Sequence, residues 1–481
     1  MKLHSLLALC LLIMLAGCGN SDEALPDLPR FESVAAGEEF PAQVPSSFGS
    51  TRGWLVVAED RTDPLYSEIR LPVVIVHCRA RRHNDPVIYL AGGPGVSGLN
   101  AAAYPGAYPW QQDRDFIVLG QRGTQDAVPA LMCPEYRAAV GNGTDLVDAV
   151  RACRHRLTEA GIGVENYHSL ASSDDLEDLR QVLEIEAWNL YAGSYGTWLA
   201  LTYARNYSES VRSMVLDSPL PPNAIYDDES AVNFEAALRA IASDCAGQPA
   251  CDAAYPELES RFFGRLETAT SSPFFVEAVS APVTGADLAA LVPLSSGRDV
   301  IAAPGIMDAS AKMEPVVIEA LGRRQEASDF AWGMRFSVWC SEALPFSERS
   351  RRQRPEATLG GFESAAMRPE LCAAWDVPSL GVEFVDPVTS DVRVLIVAGE
   401  FDPLTPPAWG ERAAETLTRS RVVSVRGEAH VPIQQWGGDG CAMSLVGAFI
   451  NAPVATLSAP ASEFCVFDRA APRYVLQTGQ D

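Results

Sequence analysis

Around Ser194 the chain reads Asn189-Leu190-Tyr191-Ala192-Gly193-Ser194-Tyr195-Gly196-Thr197. An apolar, strand-like stretch runs into a serine flanked by small residues, and helix-forming residues follow. This is the pattern of a buried strand that turns sharply into a helix and leaves a serine hydroxyl exposed at the bend. The turn is crowded, so its flanking positions must be small. Gly193 and Gly196 meet that demand. Ala192 stands where the common G-x-S-x-G spacing has its first glycine, and it still fits if its φ is negative. A serine between glycines is by itself an ordinary turn, so its meaning depends on the elements around it.

Those elements alternate. Strands are expected at 52–59, 68–78, 85–90 and 115–119, and a helix at 172–185. The strand into Ser194 follows, then a helix at 197–206 and a strand at 211–216. After Pro222 the alternation stops, and 223–387 is mostly helical in character. Strands resume at 392–398 and 421–425, and a helix closes the pattern at 441–451. The order predicts an α/β fold, with a doubly wound, mostly parallel sheet and an inserted, mainly helical cap. The 481 residues suffice for one such domain with an inserted lid, or for two domains. The expected organisation is a leader at 1–17, a tether at 18–32, core at 33–222, cap at 223–387 and core again at 388–481.

Lys2 precedes an apolar run from Leu6 to Ala16, too short to span a bilayer and suited to a signal-peptide core. The run ends Leu15-Ala16-Gly17-Cys18, which resembles the lipobox of bacterial lipoproteins. That resemblance implies a lipidated Cys18 as mature N-terminus; the alternative is ordinary secretory cleavage near Gly17. Gly19 and Asn20 put no aspartate behind the cysteine, which implies an outer-membrane anchor facing the periplasm. The formal net charge of −25 repels phosphate backbones, so nucleic acid is not an expected partner. Export means an oxidising compartment. Pairing by sequence neighbours would join Cys133–Cys153, Cys245–Cys251, Cys340–Cys372 and Cys441–Cys465, leaving Cys78 over, although sequence leaves the connectivity open. Without a C-x-x-C pair, and with scattered histidines, no zinc site is expected.

A serine nucleophile needs a base to take its proton and an acid to orient that base. Asp402 follows the strand at 392–398 in Gly399-Glu400-Phe401-Asp402-Pro403. His430 follows the strand at 421–425 in Gly427-Glu428-Ala429-His430. Both loops fall at C-terminal strand ends, the edge where open α/β sheets bind ligands. Asp217, directly after the strand at 211–216, is the rival acid. His77, His83, His155 and His168 all precede Ser194 and read as surface or structural; His4 lies in the leader. A developing oxyanion would be met by the backbone N–H of Tyr195 and by that of Gly93, in the Gly92-Gly93-Pro94-Gly95 loop.

Together these pieces resemble the proline iminopeptidase and tripeptidyl aminopeptidase family of α/β-hydrolase-fold serine exopeptidases. The resemblance rests on Gly92-Gly93-Pro94-Gly95-x-Ser97-Gly98, Gln121-Arg122-Gly123-Thr124, the turn at Ser194, and Asp402-Pro403-x-Thr405-Pro406. The end of the chain, from His430 through Cys441 to Cys465, resembles the C-terminal module of the tripeptidyl aminopeptidase branch. It implies a Ser194–Asp402–His430 triad, acyl-enzyme chemistry without metal or organic cofactor, and removal of residues from free peptide N-termini. Three departures leave the substrate open: Ala91 replaces a histidine, Gly120 an aspartate, and Thr124-Gln125-Asp126-Ala127 lacks a G-x-S continuation. An aminopeptidase must also hold an ammonium, for which a carboxylate is the natural partner. Glu342, Glu229 and Glu235 in the cap are candidates, Glu342 first because a bridged Cys340 would fix it. The same triad would serve a carboxylesterase or another acyl hydrolase on small acyl substrates. A silent, lipid-anchored binding protein is the third reading, against which the complete Ser, Asp and His set argues.

Overall fold

The computed structural model describes residues 28–35, 37–63, 67–80, 83–276, 282–322, 330–347, 368–434 and 440–476. The leader and Cys18 lie outside them.

Among the described residues nine strands form one sheet: β1 (Arg30–Ser33), β2 (Ser50–Ala58), β3 (Glu68–Val76), β4 (Val87–Leu90), β5 (Phe116–Leu119), β6 (Trp188–Gly193), β7 (Val211–Asp217), β8 (Ser390–Gly399) and β9 (Leu417–Val425). Their spatial order is β1-β2-β3-β5-β4-β6-β7-β8-β9. The first three pairings are antiparallel, and every pairing from β5 to β9 is parallel. β4, β5 and β6 are buried at each position, as expected for parallel strands covered on both faces. Their residues alternate between two cores. Leu190 and Ala192 pack with Leu176, Leu179 and Leu199 from the helices Ser169–Val182 and Tyr195–Asn206. Tyr191 faces the opposite layer, with Leu445 and Phe449 of the helix Cys441–Asn451.

The chain passes from β5 to β6 across β4, so the order reverses there. A crevice opens at such a reversal, beyond the C-terminal strand ends. The loop after β4 and the turn after β6 both border it.

Between β7 and β8 the chain builds helices from Tyr226–Ala246 through Pro369–Trp375. Four disulfides join Cys133–Cys153, Cys245–Cys251, Cys340–Cys372 and Cys441–Cys465, and Cys78 takes no part in them. Among the described residues no helix is long and apolar enough to cross a membrane.

The stretch read as a tether ends in a strand. β1 pairs Arg30–Ser33 with Val56–Gly53 of β2, and the Arg30 guanidinium reaches Glu68 at 2.8 Å. Four residues carry too little periodicity to announce a strand, and its partner is distant in sequence. The helix before β6 starts at Ser169, earlier than expected, because His168 caps it by accepting from Ala171 N at 3.1 Å. β9 starts four residues before its apolar run because Leu417 already pairs with Ser390.

Candidate active site

β6 ends at Gly193, and Ser194 takes φ 54° and ψ −127° before the helix begins at Tyr195. A positive φ is strained for a residue with a Cβ and persists only where surrounding structure holds it. Here Ser194 N donates to the Asp217 carbonyl at 2.9 Å, and Thr197 donates to the Ser194 carbonyl from N and Oγ1 at 2.8 and 2.6 Å. The small neighbours have steric causes. A Cβ on Gly196 would collide with the Leu90 carbonyl, and one on Gly92 would sit 2.9 Å from Ser194 Cβ. Ala192 needs no such relief, since it is not among the residues with positive φ.

The loops after β8 and β9 meet. A Cβ on Gly399 would strike the Ala429 carbonyl, and Phe401 N donates to the Glu428 carbonyl at 2.9 Å. This contact brings Asp402 to His430, with Oδ2 2.9 Å from Nδ1. Ser218 Oγ and Thr405 Oγ1 also donate to Oδ2, at 2.7 and 2.8 Å. Leu404 N and Thr405 N donate to Oδ1 at 2.9 and 3.0 Å. Burial pushes the Asp402 carboxyl up, but His430 and these donors outweigh it and hold the group below the usual carboxylate range. An ionised Asp402 accepts only, so His430 carries its proton on Nδ1 and leaves Nε2 as the base.

Asp217 behaves differently. It is fully buried and accepts from Ile433 N at 3.4 Å, not from His430. Burial, with Asp402 nearby, drives its carboxyl well above the ordinary value.

Ser194, His430, Gly93 and Tyr195 border one cleft of about 560 Å³, walled by Tyr104, Tyr226, Phe330 and Trp339 among others. Gly93 has φ 114°, open only to glycine, and its carbonyl accepts from Arg335 Nη1 at 2.7 Å. Of the three departures Ala91 lines this cleft, and each makes a packing or hydrogen-bond contact. Gln121 Nε2 donates to the Ala91 carbonyl at 3.0 Å, and a Cβ on Gly120 would lie 2.7 Å from Pro72 Cγ. Asp126 accepts from Ser97 Oγ.

None of the three cap glutamates is among the described residues lining the cleft. Glu229 accepts from Trp409 Nε1 at 2.9 Å and Arg412 Nη1 at 2.8 Å. Glu235 accepts from Arg239 Nε and Nη2 at 2.9 and 2.7 Å. Glu342 is fully buried and accepts from Ser169 N, while Ser169 Oγ and Tyr195 Oη lie 2.8 Å apart. It therefore stands behind the turn, not in front of it. Helical periodicity does not reveal which face meets the sheet, and no local signal marked these partners. Sequence reasoning also passed over Arg335, an arginine on an aromatic helix face, and Ser218, which reads as an ordinary turn residue.

Burial pushes the Glu342 carboxyl from its ordinary 4.5 up to about 7, against the Ser169 and Trp198 donors. A raised folded value favours the protonated form. Its stabilisation is full below pH 4.5 and is lost as pH rises through 7, on the order of 3 kcal/mol in all. Glu342→Gln mimics the protonated side chain. Wild type and variant should melt together near pH 5, and the variant should melt a few degrees higher at pH 8. Coincident melting curves at both pH values would show that the carboxyl does not lose its proton in this range and would overturn the value near 7.

The reversed strand order, the cap between β7 and β8, and the serine on its strained turn make the chain a serine hydrolase of the α/β-hydrolase fold. Residues 361–456 match the family described as TAP-like protein. The serine protease Hip1 of Mycobacterium tuberculosis is 24% identical over 413 residues, 75% of this chain and 77% of that one. Carboxylesterase B of the same organism is 24% identical over 438 residues, covering 81% and 82%. The tripeptidyl aminopeptidase of Streptomyces coelicolor is 25% identical over 190 residues, 36% of this chain and 35% of its own length.

Proposed function

We propose that this serine hydrolase is an exopeptidase that releases residues or short peptides from free peptide N-termini through an acyl-enzyme on Ser194. The observation that carries the reading is the Asp402–His430 pair at 2.9 Å, with His430 bordering the same cleft as Ser194. Ser194 Oγ attacks the scissile carbonyl as His430 Nε2 takes its proton, and Nδ1–H donates to Asp402 throughout. The N–H groups of Tyr195 and Gly93 receive the oxyanion. His430 then protonates the leaving amine, and a water activated by the same base hydrolyses the ester. No metal or organic cofactor enters this sequence.

The TAP-like match supports peptides as substrates, while the similarity to carboxylesterase B supports a second reading, an acyl-ester hydrolase on the same triad. A panel of aminoacyl, prolyl and tripeptidyl chromogenic amides beside short acyl esters separates them. Amides should be cleaved. None of the three glutamates lines the cleft, so N-acetylation should lower kcat/KM by no more than about tenfold, about 1.4 kcal/mol. Equal cleavage of free and acetylated peptides would count against an exopeptidase. Ester turnover alone would hand the function to the esterase reading.

We also propose export and lipid anchoring through Cys18, supported by Leu15-Ala16-Gly17-Cys18 and by four disulfides that suit an oxidising compartment. An outer-membrane anchor facing the periplasm is the expected placement. Intact-mass measurement should find acyl chains on a protein beginning at Cys18, and their absence would overturn this.

A further inference from the structure

The wall of the cleft holds a cation without an ionic partner. Arg335 lies in the cap helix Trp332–Glu342 and borders the same space as Ser194 and His430. Its Nη1 is committed to the Gly93 carbonyl at 2.7 Å. The rings of Phe330, Trp332 and Trp339 stand 6.0, 5.9 and 5.5 Å from its Cζ. Its Nε is buried with no acceptor, and no described residue accepts from Nη2. Asp227 lies near enough to be felt electrostatically but forms no ion pair with it. Among the described residues lining the cleft there is no aspartate or glutamate.

The chemistry of this arrangement is one-sided. A guanidinium stays charged even when burial pulls its pKa down, as it does here. Aromatic faces offset part of the cost of removing it from water, but a carboxylate offsets far more. Nε and Nη2 form one edge of the planar fork, the edge that takes both oxygens of a carboxylate in parallel hydrogen bonds. That edge is the one left without a partner, while Nη1 fixes the fork against the oxyanion loop. The chain carries a net charge of −25, yet among the described residues lining the cleft Arg335 is the one arginine and no aspartate, glutamate or lysine stands beside it. Low-dielectric walls focus the field of such a charge on an incoming anion.

We propose that Arg335 is the specificity-determining residue of the cleft and receives a carboxylate of the substrate. The preferred substrates are then short and anionic: peptides in which a free C-terminus or an acidic side chain reaches the Nε/Nη2 edge while the scissile carbonyl lies at Ser194. This rests on the Ser194 hydrolase reading and adds the substrate class.

The test compares kcat/KM within matched pairs, using the full-length protein. One arm sets tripeptides with a free C-terminal carboxylate against their C-terminal amides. A second sets Glu and Asp against Gln and Asn at each position of chromogenic peptide amides. A third sets the monosuccinyl ester of p-nitrophenol against its butyryl ester, and does not depend on peptide cleavage. Wild type should favour the carboxylate member at least tenfold in one of the arms, chiefly through KM, and the preference should shrink as salt rises. The responding peptide arm identifies the source of the carboxylate. Arg335→Met should bring the ratio within about twofold of one, and Arg335→Lys should keep part of it.

Wild-type ratios near one in all three arms would overturn the proposal whether or not a variant folds. So would a fall in Arg335→Met that is equal for both members of each pair, since that would leave Arg335 only a support for Gly93. A preference confined to the succinyl ester, with no amide cleaved, would sustain the proposal and sink the exopeptidase reading. No turnover in any arm would overturn both.

Discussion

Ser194→Ala is expected to abolish labelling by a fluorophosphonate probe and to lower turnover on the order of 10⁵-fold. Without the hydroxyl no acyl-enzyme forms, and only oxyanion stabilisation and substrate positioning remain, which leave a small residual rate. The loss should be chemical, not structural. Ser194 is held at positive φ by hydrogen bonds to its own backbone N–H and carbonyl. Alanine keeps both and suffers the same strain, so the variant should melt with wild type. Mass spectrometry of probe-treated protein and a turnover assay at matched folded concentration decide the matter. Undiminished turnover in a folded, unlabelled variant would remove Ser194 from the chemistry.

Asp402→Asn should cost on the order of 10³–10⁴-fold in kcat, whereas Asp217→Asn should stay within about tenfold of wild type. The two aspartates have opposite electrostatic fates within the same sheet edge. Asp402 is ionised and holds His430 Nδ1–H. An asparagine there can turn its amide N–H₂ toward the ring, which moves the imidazole proton to Nε2 and silences the base. It also removes the charge that stabilises the imidazolium. Asp217 does not hold His430 and accepts instead from Ile433 N, and burial raises its carboxyl, so an amide of the same shape changes little. The part of Asp217 that touches the reactive serine is its backbone carbonyl, which any residue supplies. The reverse order of effects would move the acid one strand earlier.

These assignments differ in how far they could be read from the chain. β4, β6, β7 and β8, with the loops that follow them, are local patterns: an apolar run ended within two residues by glycine or aspartate. Parallel strands buried on both faces produce such runs whatever the rest of the fold does. Ser194, Asp402, His430 and the Gly92–Gly95 loop were therefore visible as candidates, and the structure places Ser194, His430 and that loop at one cleft, with Asp402 behind His430. The choice between Asp402 and Asp217 turned on hydrogen bonds between loops about 200 residues apart in places, such as Ser218 to Asp402. Those are not local. The cap was opaque for the same reason. Glu229 reads as an exposed acid, yet Trp409 and Arg412, beyond β8, neutralise it. Arg335 reads as the polar member of an aromatic helix face, and only packing turns that face toward the cleft. β1 had too few residues to show a period at all.

The insertion of the cap also sets the order in which the sheet can close. Whether the chain leaves a ribosome or a secretion pore, it emerges from the N-terminus. Asp217 ends β7 and Ser390 begins β8, so roughly 170 residues separate them, about 9–35 s of synthesis at 5–20 residues per second. For that interval the buried, apolar edge of β7 has no neighbour, and an unpaired hydrophobic edge invites association between nascent chains. The half of the sheet that carries Ser194 is thus complete long before the half that carries Asp402 and His430. A holding chaperone that shields β7 during this gap would raise the yield of folded protein more than one acting on the finished chain.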